Sequence, residues 1–329
     1  MHLGLAGADP GELLDHRWPA ATFRVDGPPI DAFGFGLSGT LAFEHRWETR
    51  AQAAAPTAQG LWPAPRPLRL VCNSWPKAGT HLLQEVAKGL LGEGTWYRQA
   101  ELIHPPGGEP VLLDALQAKF EAAGERGAVL GHFPWSPALE RAFLDRGWKT
   151  LFIIRDPRDM LCSTLRWMLD LRPDWAISRH MRELPGDDAR LAAIIAGLPV
   201  LAPLHRNVDV AWDKPLPHRL ERLTPWTSSA HACTLRFEDL LGGPDEDARR
   251  RQEAELRRAL EYLGDDGRVP LAELARGLFN PLSATFHSAQ RGTWRRYFKP
   301  EHRALFLETG GEELVRRFGY PPTEAGEQP

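Results

Sequence analysis

Leu68-Arg69-Leu70-Val71-Cys72-Asn73-Ser74-Trp75-Pro76-Lys77-Ala78-Gly79-Thr80-His81-Leu82-Leu83 is the stretch whose reading decides the fold. LRLVCN (68–73) is a short apolar run ending in polar residues, the pattern of a strand buried on both faces in a parallel sheet. Beyond the turn, Leu82, Leu83, Val86, Ala87, Leu90 and Leu91 recur at helical spacing and line one helix face. Between strand and helix, Gly79 lets the backbone approach a ligand. The first amides of the helix have no partner within it and form a natural anion site. Lys77 adds a full charge there and Thr80 a hydroxyl. The pattern is not GxxxxGK[ST], because the lysine precedes the glycine. Read alone, it is equally a plain strand–helix turn with a surface lysine.

The same alternation continues outward. AVLG (128–131), TLFIIR (150–155) and CTLRF (233–237) read as three more buried strands. Asp156-Pro157 opens a helix after the third strand of the four, Asp as N-cap and Pro at the first helical position. Residues 246–263 form an amphipathic helix with Leu256, Leu260 and Leu263 inward and Arg249, Arg250 and Arg251 as a solvated charge run. Strands alternating with helices predict an α/β fold, a three-layer structure with a mostly parallel central sheet flanked by helices. Ligands of such sheets bind beyond the carboxyl ends of the strands. There Arg155 leaves its strand, with Ser163 eight positions on, about two turns into the next helix. Both reach one phosphate from different sides, the arginine through its forked donors. An Arg–Asp cluster that merely steadies a helix start is the competing reading.

Upstream the chain is different. ATFRVDG (21–27) and GTLAFEHRW (39–47) alternate as short strands, and residues 51–67 carry four prolines, as a linker or extended arm would. The expected organisation is an N-terminal extension and linker over 1–67 and one domain over 68–329. Of 329 residues, 43% are hydrophobic and 25% charged, enough for a large core. The formal net charge of −3 offers no global basic field for nucleic acid, so any bound anion is held locally. Cys72, Cys162 and Cys233 are too few for a disulfide scaffold and read as buried thiols. The longest uncharged run, Leu191–Leu204, falls short of the ~20 residues of a membrane span. With no signal peptide visible at the N-terminus, a cytoplasmic protein is expected.

Taken together, the strand–PKxGT–helix element and the later strand ending in RDPRDxxxS resemble the sulfotransferases that use 3′-phosphoadenylyl sulfate (PAPS). Gly131-His132-Phe133-Pro134 resembles that family's THxP segment, and Leu235-Arg236-Phe237-Glu238-Asp239-Leu240 its strand-end YEDL segment. Residues 285–295, TFHSAQRGTWR, resemble its late RKGxxGxW loop. The resemblance spans roughly 68–320 and implies a P-loop NTPase-like sulfotransferase fold. It implies PAPS as donor and adenosine 3′,5′-bisphosphate (PAP) as product, with no metal required. The loop Lys77, Ala78, Gly79, Thr80, His81 and Leu82 then holds the 5′-phosphosulfate. Arg155 and Ser163 hold the 3′-phosphate, Phe237 packs near the adenine, and Arg291, Gly292 and Trp294 close over the nucleotide. His132 is the implied catalytic base. The chain departs from the family at Ala78 (usually Ser), His81 and Leu82 (Thr and Trp), Leu130 (often Lys), His287 (Arg) and Ala289 (Gly), with Arg291 a shifted replacement cation.

The implied reaction is in-line transfer of a sulfuryl group to a hydroxyl or amine, with charge growing on the leaving phosphate. Lys77 is placed to stabilise that charge. His132, whose ordinary pKa lies near neutrality, takes the acceptor's proton. Glu85, eight residues after Lys77, is the runner-up base, since carbohydrate sulfotransferases of the same superfamily use a glutamate there. Trp135, Trp167, Trp175, Trp212 and Trp226 suggest a small hydrophobic or aromatic acceptor, although each singly reads as core. The expected partner is therefore a small molecule, with neither nucleic acid nor a membrane span, and with a homodimer left open. Two other functions stay open. A P-loop kinase or ATPase would need magnesium and a lysine after the glycine. A nucleotide-binding module without catalysis would fit the altered residues Ala78, Leu130 and His287.

Overall fold

The computed structural model describes residues 60–92, 97–100, 116–117, 120–121, 123–171, 176–198, 213–278 and 291–323, with short pieces at 4–5, 22–24 and 30–31. The chain divides into two compact units, Met1–Ala55 and Pro56–Pro329. In the first, β1 (Gly4–Leu5), β2 (Thr22–Arg24) and β3 (Ile30–Asp31) form a small antiparallel sheet. The strand expected at 39–47 lies outside the described residues.

The second unit is built on five parallel strands, β4 (Leu68–Ser74), β5 (Tyr97–Ala100), β6 (Arg126–Gly131), β7 (Lys149–Ile154) and β8 (Ala232–Arg236), in the order β5-β6-β4-β7-β8. Four of them are the apolar runs read from the sequence. The fifth, β5, was not expected. Its residues Tyr-Arg-Gln-Ala make no apolar run, and among the described residues it pairs on one side only. After β4 the chain moves to one side of the sheet, and after β7 to the other. The crevice where these directions part, beyond β4 and β7, is the ligand position of an open α/β sheet.

Side-chain alternation makes the sheet the middle of three layers. Cys72 sulfur lies 3.9 Å from the carbonyl of Leu83 on helix α1 (Thr80–Leu91). Asn73, the next residue, points to the opposite face. There its amide meets Phe133, whose ring packs against Phe143 of α2 (Pro137–Asp145), itself stacked on Trp226. Leu70, Val71, Cys72, Leu151, Phe152 and Ile153 are all fully enclosed, each such apolar side chain contributing roughly 1.5–3 kcal/mol on burial. Helix α3 (Pro157–Arg166) begins as expected. The Asp156 carboxylate accepts from the Arg158 amide, and Pro157 follows it. The helix at Glu246–Leu263 buries Leu256, Leu260 and Leu263 and leaves Arg249, Arg250 and Arg251 exposed. Leu191 lies in a helix that ends at Ala196, before Gly197.

The stretch preceding β4 is part of this unit. Trp62 is buried, and the Leu61 and Trp62 amides donate to the carbonyls of Gly89 and Leu90 at the end of α1. The Arg126 guanidinium donates to the carbonyls of Trp62, Pro63 and Arg66. Residues 60–67 are thus anchored by backbone groups, in a segment whose prolines read as a linker. The three cysteines are free and buried. No helix among the described residues is long and apolar enough to cross a membrane.

Candidate functional site

Strand register decides which side chains meet. Asn73 of β4 lies opposite Gly131 of β6, Ser74 opposite Ile153 of β7, and Ile154 of β7 opposite Arg236 of β8. The next residue along each strand is therefore His132, Trp75, Arg155 or Phe237. Four segments far apart in sequence deliver these residues to one edge of the sheet. Phe237, expected as the last residue of a strand, instead opens the short helix Phe237–Leu240.

The loop between β4 and α1 has an unusual backbone. Gly79, the N-cap of α1, has φ 119°, and Lys77 has φ 67°, a left-handed conformation rare for a residue with a side chain. No side chain among the described residues caps the helix. A Cβ at Gly79 would sit 2.6 Å from Phe237 Cδ2 and 3.1 Å from Ile153 Cδ1. Phe237 is thus pressed against the glycine from one side. The Arg155 guanidinium carbon lies 4.3 Å from the centroid of the Phe237 ring, and its Nη1 is 3.4 Å from the Lys77 carbonyl. The Lys77 ammonium stands 5.1 Å from the centroid of Trp167, at the π-helical turn Trp167–Leu171 that continues α3. Lys77, Gly79, Arg155, Phe237 and Trp167 therefore form one cluster. Two cations and an uncapped helix start in it suit a ligand with several negative charges.

Other expected loop residues are placed differently. Ala78 is fully buried, and its amide donates to the Trp75 carbonyl. Leu82 lies in the core, and its amide donates to Gly79. Both side chains pack into the core, and both amides already have backbone partners. Thr80 is at the helix start, its hydroxyl 2.7 Å from that of Ser74. Glu85 is paired with Lys88 at 2.9 Å on the same helix. Ser163 is half-buried on α3, its carbonyl accepting from the Trp167 amide.

His132 is held through one nitrogen. Its Nδ1 lies 2.9 Å from the Ser74 carbonyl oxygen and 3.0 Å from the Ser74 hydroxyl. A carbonyl only accepts, so Nδ1 carries the hydrogen and Nε2 carries the lone pair. Burial pulls the His132 pKa down from 6.5 to about 4. Nearby Lys77 and His81 add to this, against the bond to Ser74, and the ring is neutral at pH 7. His81, on the first turn of α1, is lowered to about 4 by burial and Lys77. The backbone after His132 is fixed by Asn73. Its Oδ1 accepts from the Phe133 amide at 2.8 Å and the Ser74 amide at 2.9 Å, while its Nδ2 donates to the Phe133 carbonyl at 3.0 Å.

Three further residues build the site, and the sequence reading gave none of them a role. Asn73 appears there only as the polar end of a strand, and Ser74, the last residue of β4, lies one position beyond the strand read from the sequence. Asp159 accepts from the amides of Gly292 at 2.8 Å and Trp294 at 2.9 Å, so it ties the late loop to α3. Burial raises its pKa, against the charge of Arg155 and these two bonds. Trp294 is buried, with the Arg158 guanidinium 3.9 Å from its ring centroid. Arg158 in turn grips both Asp156 oxygens, at 2.9 and 2.7 Å, and donates to the Thr323 hydroxyl at 3.0 Å. The Glu238 carboxylate accepts from the Asp156 amide and from the Tyr320 hydroxyl. Arg291 donates to the Gly242 carbonyl. His287 and Ala289 lie outside the described residues.

Of the aromatic candidates, Trp226 is fully buried and donates from Nε1 to the Phe133 carbonyl, so it belongs to the core and not to a pocket wall. Trp135 and Trp167 are half-buried, while Trp175 and Trp212 lie outside the described residues. Among the described residues, no group of three His, Cys, Asp or Glu side chains is placed to hold a metal ion.

No protein-family model matches the chain, and no curated protein matches it. Solved structures of similar shape include mouse sulfotransferase SULT7A1 complexed with PAP, at 18% identity and TM-score 0.48, covering 78% of this chain and 89% of that one. Retinol dehydratase with androsterone and PAP is similar at 15% identity and TM-score 0.46, over 76% and 82% of the two chains. A sulfotransferase from Alicyclobacillus acidocaldarius is similar at 14% identity and TM-score 0.40, over 77% and 96%. At these identities and TM-scores no activity is carried over from them.

Proposed function

We propose that this chain is a PAPS-dependent sulfotransferase acting on a hydroxyl or amine of a small acceptor. The observation that carries the reading is the register of β4, β6, β7 and β8. It brings His132, the Lys77–Gly79 loop, Arg155 and Phe237 to one edge, in the sequence context of PKxGT, HFP, RDPRDxxxS and FEDL. The loop fits a sulfated phosphate. Gly79 leaves no room for a Cβ, the helix start is uncapped, and a lysine stands within the cluster.

When bound, the nucleotide supplies the sulfuryl group. Everything else is done by the chain. Arg155, braced by Phe237, holds the 3′-phosphate together with Ser163. Lys77 and the helix start place positive charge where the leaving phosphate oxygen gains an electron pair. His132 takes the acceptor's proton at Nε2, its Nδ1 hydrogen already committed to Ser74. Its lowered pKa keeps that lone pair available at neutral pH. The half-buried rings of Trp135 and Trp167 favour an aromatic or apolar acceptor. Glu85, engaged with Lys88, is assigned no proton transfer.

The test is a thermal-shift titration with PAP, then turnover of PAPS over an acceptor panel without added metal. His132→Ala should lower turnover by about 10²–10⁴-fold and leave PAP affinity nearly unchanged. Arg155→Ala should weaken PAP by roughly 10–100-fold. Absence of PAP binding overturns the reading. PAP binding with no turnover, unaffected by His132→Ala, leaves a nucleotide-binding module in place of an enzyme.

A further inference from the structure

The hydroxyl of Ser74 lies between two parts of the site that the proposed reaction treats as separate. It is 3.0 Å from His132 Nδ1 on one side and 2.7 Å from Thr80 Oγ1 on the other, and Ser74 is fully buried. Each of these contacts leaves donor and acceptor ambiguous by itself. The Ser74 carbonyl settles the one at His132. The carbonyl, 2.9 Å from Nδ1, only accepts, so the hydrogen is on Nδ1. That hydrogen is shared between the carbonyl and the hydroxyl oxygen of Ser74, which therefore accepts there. The Ser74 hydroxyl hydrogen is then free to go to Thr80 Oγ1. When that bond runs from Ser74 to Thr80, Thr80 has its own hydrogen left over, with no second partner among the described residues. Thr80 is the first residue of α1, directly after Gly79, so this hydrogen is at the start of the uncapped helix.

We infer that Ser74 is a positioning residue that joins the general base to the anion-binding loop through a one-directional chain of donors, His132 Nδ1–H to Ser74 Oγ–H to Thr80 Oγ–H to the bound anion. The inference rests on the sulfotransferase reading and adds a residue to it. No proton moves along the chain. The proton taken from the acceptor stays on Nε2, the new sulfur–oxygen bond forms to the acceptor, and the electron pair of the broken bond goes to the leaving phosphate. What passes along the chain is polarisation. As the ring becomes an imidazolium, Nδ1–H becomes a stronger donor, which makes Ser74 and then Thr80 stronger donors in turn. Thr80 is thereby strengthened at the moment negative charge grows in front of it. Positive charge gained at one end of the chain is matched to negative charge gained at the other.

The register explains why this position does it. Leu70, Cys72 and Ser74 share the α1 face of β4, and Ser74 is the last strand residue before the loop. It is therefore the one strand residue that faces Thr80 while its carbonyl reaches the neighbouring β6 edge at His132. The charged and titratable groups facing the ring are Lys77 of the loop and His81 of α1. Ser74→Ala leaves both in place, together with the carbonyl that fixes the tautomer.

The experiment compares wild type, Ser74→Ala and Ser74→Thr by ¹H–¹⁵N NMR of the His132 ring with and without saturating PAP, alongside PAP affinity by calorimetry and kcat. In wild type, an anion accepting from Thr80 strengthens each bond behind it, and the Nδ1–H resonance moves downfield on PAP addition. In Ser74→Ala, PAP still binds, about 3–10-fold more weakly, the resonance does not follow PAP, and kcat falls about 10-fold. Ser74→Thr, which keeps the hydroxyl, restores the response and most of kcat. An unchanged PAP response in Ser74→Ala, or equal loss in Ser74→Thr, overturns the role of Ser74. Failure of wild type to bind PAP overturns the nucleotide reading itself, and the NMR of the ligand-free ring tells the two failures apart.

Discussion

Gly79→Ala concentrates the reasoning about the loop into one methyl group. With φ at 119°, the backbone lies in a region that costs an L-residue about 1–2 kcal/mol or more. The added Cβ meets Phe237 Cδ2 at 2.6 Å and Ile153 Cδ1 at 3.1 Å. Ile153 is fully buried in β7 and cannot yield, so Phe237 must move, at an overpacking cost of roughly 1–3 kcal/mol. Reduced freedom of the unfolded chain returns about 0.4–1 kcal/mol. The net is a loss of roughly 1–5 kcal/mol, read as a fall in Tm of about 2–20 °C. Because the Arg155 guanidinium rests on the Phe237 ring, displacement of that ring also weakens PAP, by about tenfold or more. Gly124→Ala is the matched control. Its φ is 65°, but a Cβ there meets nothing within 4 Å, so only the backbone cost less the same unfolded-chain return remains, about 0–1.5 kcal/mol, and PAP affinity is unchanged. Thermal unfolding of the two variants with and without PAP gives both readouts. Equal Tm losses in the two variants, with PAP affinity intact in both, would refute the packing argument and the role of Phe237 behind Arg155.

Other outcomes follow from the same geometry. His81 and His132 each have a folded-state pKa of about 4 against an ordinary 6.5, so each takes up a proton on unfolding between those values. Stability is therefore full above about pH 6.5 and falls as pH drops toward 4, by up to about 3 kcal/mol per histidine. Urea unfolding at pH 7, 5.5 and 4.5 measures it, and replacing both histidines by Gln should flatten the slope. Asp159→Asn turns one of two accepting oxygens into a donor facing a backbone N–H, at a cost of about 1–3 kcal/mol. Hydrogen exchange at the Gly292 and Trp294 amides should accelerate, and unchanged protection there would contradict the tie. Asn73→Ala removes three hydrogen bonds around Phe133 and should destabilise the unit by roughly 2–4 kcal/mol, read from the urea midpoint, while lowering turnover through misplacement of His132.

The parts of the fold written in local chemistry were readable in advance. LRLVCN, AVLG and TLFIIR are buried on both faces and so lack polar alternation, CTLRF alternates buried Cys233 and Leu235 with half-buried Thr234 and Arg236 as an edge strand does, and Asp156-Pro157 marks its helix start by capping. The polar strand Tyr97–Ala100 escaped because it is an edge, where no apolar run is needed. Within the site, His132, Lys77, Arg155 and Phe237 could be picked out because each ends or follows a recognisable strand. Ser74 and Asn73 could not, since their value lies in which neighbour the register places opposite them. Asp159 stands inside a motif read for other residues, and its partners are 133 and 135 positions away. Leu82 and Ala78 show the converse. Their place in the motif does not reveal that both side chains turn to the core while their amides bond Trp75 and Gly79.

The bracing of the Arg155 loop by Thr323 and Tyr320 has a consequence for the order of events during synthesis. Arg158 bonds Thr323 and Glu238 bonds Tyr320, so the loop that follows β7 is finished by residues translated 165 and 82 positions after those side chains. A growing chain can pair β4, β6, β7 and β8 once residue 236 has cleared the ribosome. It gains the braced arginine loop only when residue 323 follows. If the proposed nucleotide site is right, its affinity is acquired in a late, separate step, and partly translated chains carry the sheet before the arginine loop is braced.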